Sequence, residues 1–159
     1  MVPIDEQKQE LAHMDEQARY TIEQVATRTG MTKRTLRYYE EVGLLPPACR
    51  TEGNYRRYTE ADIKRLERIK ELRDLLGFSL NDIRELLSAE EERSQIKLAY
   101  RQETDAVAKL VQLDRADELI RQQLFLIEQK ITGLEHLRVS LIARLEQHEQ
   151  VKNKLRHRE

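Results

Sequence analysis

The sequence predicts a mainly α fold: a small N-terminal domain of short helices, then one long C-terminal helix that needs a partner. Three features of the chain predict it. Among 159 residues there are three prolines and five glycines, fewer than the usual ~5% and ~7%, so helices can run without interruption. Helix-capping residues recur at short intervals between positions 21 and 82. Beyond residue 116, apolar residues step by alternating fours and threes, the spacing of a coiled-coil seam. Composition narrows the function classes. Aromatics are 5% and there is no tryptophan, which argues against a large aromatic-lined substrate pocket. No run of about 18 apolar residues is present, so no membrane span is expected. The acidic start lacks the apolar stretch of a signal peptide, and a cytoplasmic location is expected.

The elements follow in order. Residues 1–18, with one lysine and five acids, read as an acidic N-terminal arm. Thr21-Ile22-Glu23-Gln24 has the Thr-x-x-Gln form of a capping box, in which each end satisfies a free amide of the other. Gly30 stops that helix, and Thr32 caps a second one through Val42, closed at Gly43 where a left-handed residue is wanted. Leu44-Leu45-Pro46-Pro47 is held extended, because proline restricts the residue before it. Arg50 to Tyr58 reads as two short strands with Gly53-Asn54 at the turn, which makes a wing. Thr59 and Asp62 open a third helix with Ile63, Leu66, Ile69 and Leu72 along one face. Gly77 ends it, and Ser79 caps a fourth, buried through Leu80, Ile83, Leu86 and Leu87. The order helix, turn, helix, wing, helix, helix is that of a winged helix-turn-helix domain, here residues 19–87.

Residues 88–115 form a helical connector of one or two short helices. The coiled-coil helix is expected over 116–155 and a polar tail over 156–159. Ile120, Leu124, Ile127, Ile131, Leu134, Leu141 and Leu145 fill seven of nine consecutive seam positions. At about 1.5 Å per residue the 40 residues would span roughly 60 Å, too long to bury the stripe on a small domain. A second copy of the chain is the simplest partner. Arg138 and His148 interrupt the seam. Either they snorkel from it, or they fix register or orientation.

The formal net charge of −1 conceals an uneven distribution. Residues 1–18 carry −4, residues 19–87 carry +3 and the remainder is neutral. Five of the six tyrosines lie between Tyr20 and Tyr58. A locally basic stretch interleaved with aromatics points to a polyanion partner. A helix starting at Thr32 would present Thr32, Lys33, Arg34, Thr35, Arg37 and Tyr38 to a DNA groove. Tyr39 falls on the core side. Asn54, Tyr55, Arg56 and Arg57 would form the wing, with Tyr58 packed beneath.

Tyr20-Thr-Ile-Glu-Gln-Val-Ala26, Thr35-Leu-Arg-Tyr-Tyr-Glu40, Gly43-Leu-Leu-Pro46, Asn54-Tyr-Arg-Arg-Tyr58 and Gly77-Phe-Ser-Leu80 run in this order. Together they resemble the DNA-binding half of the mercury-resistance-regulator (MerR) family, over about residues 19–87. The resemblance implies a homodimeric transcriptional regulator that binds double-stranded promoter DNA and distorts it, so that RNA polymerase can engage. It also implies that the long helix pairs antiparallel. Metal- and redox-sensing relatives carry cysteines at the start of that helix and beyond it. Here the only cysteine is Cys49, before the wing, so neither a thiolate metal site nor an iron–sulfur cluster is expected. No metal ligand set, no cofactor and no catalytic residues are expected, and no membrane partner. The effector, if one exists, is unknown; Leu98, Tyr100, Leu110, Phe125 and Leu126 are candidate pocket lining, with ordinary packing the blander use. Against the regulator stands one alternative, a DNA-bridging or nucleoid-organising protein without promoter specificity.

Overall fold

The computed structural model describes residues 19–157, so the acidic arm and the last two residues lie outside the described residues. The order of elements is β1 (Tyr20–Thr21), α1 (Ile22–Thr29), α2 (Lys33–Glu41), β2 (Cys49–Arg50), β3 (Arg56–Tyr58), α3 (Glu60–Lys70), a π-helical turn (Glu71–Leu75), α4 (Leu80–Gln102) and α5 (Ala106–Arg156). The chain divides into two compact units, one ending at Arg84 and one beginning at Glu85.

In the first unit each helix begins at the residue chemistry that favours it. The Thr21–Gln24 box closes in both directions at 2.8 and 3.2 Å, and a second box joins Thr59 to Asp62 at 2.8 and 3.1 Å. Thr32 Oγ1 accepts the Thr35 amide at 3.0 Å, and Ser79 Oγ the Asp82 amide at 3.1 Å. Gly30, Gly43 and Gly77 take φ of 68°, 74° and 67°, the left-handed region where a Cβ is costly. The core gathers Val25, Leu36, Tyr39, Leu44, Leu45, Tyr58, Ile63, Leu66, Ile69 and Ile83, all essentially fully buried. Fully burying a side chain such as Leu36 or Ile63 is worth about 1.5–3 kcal/mol. Cations satisfy carbonyls that the elements leave open: Lys70 Nζ donates to the Thr29 carbonyl at the end of α1 at 2.9 Å, and Arg65 Nε to the Leu44 carbonyl in the loop after α2 at 2.6 Å.

Three features differ from the sequence expectation. The wing is a three-stranded sheet of order β1-β3-β2, because Tyr20 and Thr21 pair antiparallel with Tyr58 and Arg57. Helix α3 does not run evenly to Gly77; it widens into a π turn in which the Leu76 amide donates to the Glu71 carbonyl at 3.2 Å. That widening leaves Leu75 exposed while Leu72 and Phe78 remain buried. Most consequentially, the connector is not a separate set of short helices. Helix α4 continues unbroken to Gln102, and α5 already starts at Ala106, capped by Asp105 Oδ2, which accepts the Ala108 amide at 2.8 Å.

In the second unit α4 and α5 form a helical hairpin. Gln123 Nε2 donates to the Leu86 carbonyl at 3.1 Å, and Arg93 donates back to Gln123 Oε1 at 2.8 Å. Arg115 reaches Glu92 at 2.7 Å. The α5 residues facing α4 recur as Gln112, Ala116, Leu119, Gln123, Leu126 and Lys130, buried or half-buried, whereas every residue from Ile131 to His157 is exposed. Helix α5 has 51 residues, about 77 Å of helix, and α4 covers only its first half.

Candidate nucleic-acid interface

Helix α2 separates its faces by periodicity. Leu36 and Tyr39 turn into the core, while Thr32, Lys33, Arg34, Arg37 and Tyr38 are exposed and Thr35 is half-exposed. The Thr32 and Thr35 hydroxyls meet at 2.8 Å, so both are held at the helix N-terminus, where free amides and the helix dipole favour anions. Tyr39 is fixed from beneath: its hydroxyl accepts from Arg73 Nη1. Its neighbour Tyr38 stands outward, 45% exposed.

The wing turn is built by Thr51 and Asn54. The Asn54 amide donates to the Thr51 carbonyl at 2.8 Å, and the Thr51 amide to the Tyr55 carbonyl at 3.0 Å. Asn54 itself takes φ 62°, and Arg50 Nη1 donates to its Oδ1 at 3.1 Å. A side chain at Gly53 would meet the Tyr55 ring at 2.9 Å, so glycine there lets the turn close under an aromatic that is 73% exposed.

Helix and wing share one surface. Arg37, from α2, lines a shallow groove of about 380 Å³ with Asn54, Tyr55, Arg56 and Arg57 from the wing and with Thr21, Ile22 and Glu23. The cations there are not equivalent. Arg56 Nε donates to Glu40 Oε2 at 3.0 Å, both largely screened from solvent, so Arg56 pins the wing to α2 rather than reaching outward. Lys33 Nζ sits 2.5 Å from Glu23, and that contact holds the Glu23 carboxyl below its ordinary range. The side chains of Arg34 and Arg57 have no hydrogen-bond or ion-pair partner among the described residues. The supports beneath these side chains were not legible in the sequence. Those are Tyr20 beneath Arg28 at 5.5 Å, the Arg28–Glu60 ion pair at 2.6 Å, and Glu23 itself. Strands of two residues are too short for alternation to show.

Of the pocket residues anticipated, only Tyr100 lines the hairpin groove. Leu98, Leu110 and Phe125 are each about 60% exposed, turned outward instead. The seam residues Ile120, Leu124, Ile127, Ile131, Leu134, Leu141 and Leu145 form an uncovered stripe, between 37% and 68% exposed. Among the described residues no group of three or more His, Cys, Asp or Glu is placed to hold a metal ion, and no helix is long and apolar enough to cross a membrane.

A capped recognition helix beside a cationic wing defines a winged helix-turn-helix DNA-binding protein. Residues 20–90 match the profile of the MerR HTH family regulatory proteins. The chain is 38% identical over 110 residues to the HTH-type transcriptional regulator YfmP of Bacillus subtilis, covering 69% of this chain and 79% of that protein. It is likewise 38% identical over 109 residues to heavy metal-dependent transcription regulator 1 of Rhizobium meliloti, covering 69% and 67%. Among solved structures, a MerR family regulator from Listeria monocytogenes superposes with a TM-score of 0.53 at 20% identity, covering 82% of this chain and 86% of that one; it supports the fold. The chain belongs to the MerR family of DNA-binding transcriptional regulators.

Proposed function

We propose that this regulator binds double-stranded promoter DNA as a homodimer, pairing α5 antiparallel through Ile120, Leu124, Ile127, Ile131, Leu134, Leu141 and Leu145. The single observation that carries the dimer is the apolar stripe on a helix whose second half is exposed and uncovered among the described residues. Thr32, Lys33, Arg34, Thr35, Arg37 and Tyr38 enter the major groove from α2, and Asn54, Tyr55 and Arg57 follow the backbone from the wing. Arg56 serves through its hold on Glu40. The pair distorts the promoter so that RNA polymerase can engage. Bending or untwisting a site costs on the order of 1–10 kcal/mol, offset by contacts made only in the deformed duplex. The protein acts in the cytoplasm, on DNA rather than on a membrane, and performs no catalysis.

An effector would work by binding two dimer conformations unequally. The metal dependence named for the Rhizobium relative is not carried over, because the lone Cys49 sits in the wing, in β2. The test is a footprint on the DNA upstream of the gene for this protein. A bounded, pseudo-palindromic protected site supports the regulator. Unbounded coverage would instead establish the DNA-organising alternative.

A further inference from the structure

We infer that the two copies of α5 pair in one register, with the two-fold axis between Ile131 and Leu134, and that the groove between α4 and α5 receives the C-terminal turns of the partner's α5. The inference rests on the dimer proposed above and goes on to specify which residues meet.

The uncovered seam runs from Leu110 to Leu155, both about 60% exposed, and its midpoint falls between Ile131 and Leu134. In heptad terms Leu110, Asp117, Leu124 and Ile131 occupy a positions, and Leu134, Leu141, His148 and Leu155 occupy d positions. Two-fold antiparallel helices place each a beside a d of the partner, so only registers one heptad apart are allowed. The central one sets Ile131 beside the partner's Leu134, Leu124 beside the partner's Leu141, and Leu110 beside the partner's Leu155. The acidic seam residue Asp117 then faces the partner's His148. Arg138 meets the partner's Ile127, where its aliphatic stem covers the seam and its head reaches water.

Sliding one heptad breaks these matches. In one direction Asp117 is buried against the partner's Leu155; Lys152 meets an apolar residue in either case, the partner's Leu113 in the central register and the partner's Ile120 in this one, so Asp117 is the residue that discriminates. In the other, Asp117 faces the partner's Leu141, and Leu155 projects beyond Ala106, where the partner's α5 begins. An unpaired carboxylate in a seam is a strong discriminator. The present neighbours of Asp117 compete weakly, since Arg121 lies 3.7 Å away with both side chains exposed.

The central register also gives the hairpin groove its occupant. Residues 145–155 of the partner's α5 lie opposite residues 110–120. Leu113, Ala116 and Ile120 form one wall of a groove of about 580 Å³, and Ile96, Lys97 and Tyr100 of α4 form the other. The last turns therefore rest between two helices. This explains why α4 extends to Gln102 and why Val151 and Leu155 are apolar though their own chain leaves them exposed.

The test uses the full chain in a Cys49→Ser background with a short bismaleimide. Leu124→Cys mixed with Leu141→Cys should crosslink in high yield, while Leu124→Cys alone should not, its two copies standing about 25 Å apart along the helix. Crosslinking of Leu124→Cys with His148→Cys or with Leu134→Cys instead would establish a slid register and overturn the inference. Efficient self-crosslinking of Leu124→Cys would show parallel helices and overturn it too. A chain that sediments as a monomer would remove the dimer itself, a failure distinguishable from the wrong register. Independently, His148→Asp should raise the dimer dissociation constant about tenfold, and adding Asp117→Lys should restore it; a dimer indifferent to His148→Asp would overturn the pairing.

Discussion

Arg37 lines the groove that α2 and the wing share, and in the proposed complex its guanidinium meets phosphate rather than a base edge. Arg37→Ala should weaken binding to every duplex alike and lower the salt slope of binding by about one. Fluorescence anisotropy over a salt series checks this; an unchanged slope would mean that Arg37 touches no phosphate. Tyr58 shows the opposite situation, a polar group enclosed. Its hydroxyl is buried without a hydrogen-bond partner among the described residues, and burial pushes its pKa up to about 12. The folded state thus holds the proton more tightly than the unfolded chain. The stability owed to that proton is complete below pH 10 and is lost as pH rises toward 12. Tyr58→Phe should remove this part of the alkaline loss and, by deleting an unsatisfied hydroxyl, stabilise the fold by about 1 kcal/mol at neutral pH. Urea unfolding at pH 7 and pH 11 separates the two effects. The core side of Tyr39 was legible from helical spacing and Tyr58 was expected beneath the wing; the orphaned hydroxyl was not legible, because it depends on which groups the folded sheet brings near.

Among the elements, the helix boundaries were the most legible, since Thr21, Thr32, Thr59 and Ser79 act on amides within three residues of themselves. What local chemistry does not determine was missed. Strand β1 exists only because β3 offers it an edge. The π turn after Lys70 and the extension of α4 to Gln102 depend on what each segment packs against. The glycines make this testable with opposite signs. Gly43 closes α2 at φ 74° with nothing within 4 Å of an added Cβ, so Gly43→Ala introduces backbone strain without a clash and should cost about 1 kcal/mol. Gly133 lies inside α5, also with open space around it, and at a heptad position off the seam. Gly133→Ala should therefore stabilise the protein by about 0.5–1 kcal/mol through helix propensity alone. Thermal melts of both variants, each with its dimer fraction measured, check the pair. Equal signs would mean that one glycine sits in a different backbone environment.

At the scale of the whole molecule, the near-zero net charge masks a basic stretch over residues 19–87, set against an acidic first 18 residues and a neutral remainder, so the total charge gave no sign of DNA and the local distribution did. The same division governs what a seam mutation does. The core of the first unit, from Val25 to Ile83, contains no seam residue, so disrupting α5 pairing should leave the DNA-binding domain folded. Leu134→Asp sets a carboxylate beside the two-fold axis against the partner's Ile131, with Arg138 of its own helix, one turn on, to offset it. Removing it from water costs several kcal/mol, far more than an i, i+4 pair with Arg138 returns and more than a seam of this length can spare at micromolar concentration. Sedimentation should show monomers. Each monomer would still meet phosphates through Arg34, Arg37 and Arg57, but it would engage one half-site where the dimer engages two. Losing the tethered second contact should weaken specific binding by about 10²–10⁴-fold, while non-specific binding persists with roughly half the salt slope. A footprint reduced to nothing, together with retained weak binding to any duplex, would locate specificity in the pairing of two recognition helices. A Leu134→Asp chain that still dimerises and still protects a full palindrome would place the interface elsewhere, on the outward faces that carry Val139 and Ile142.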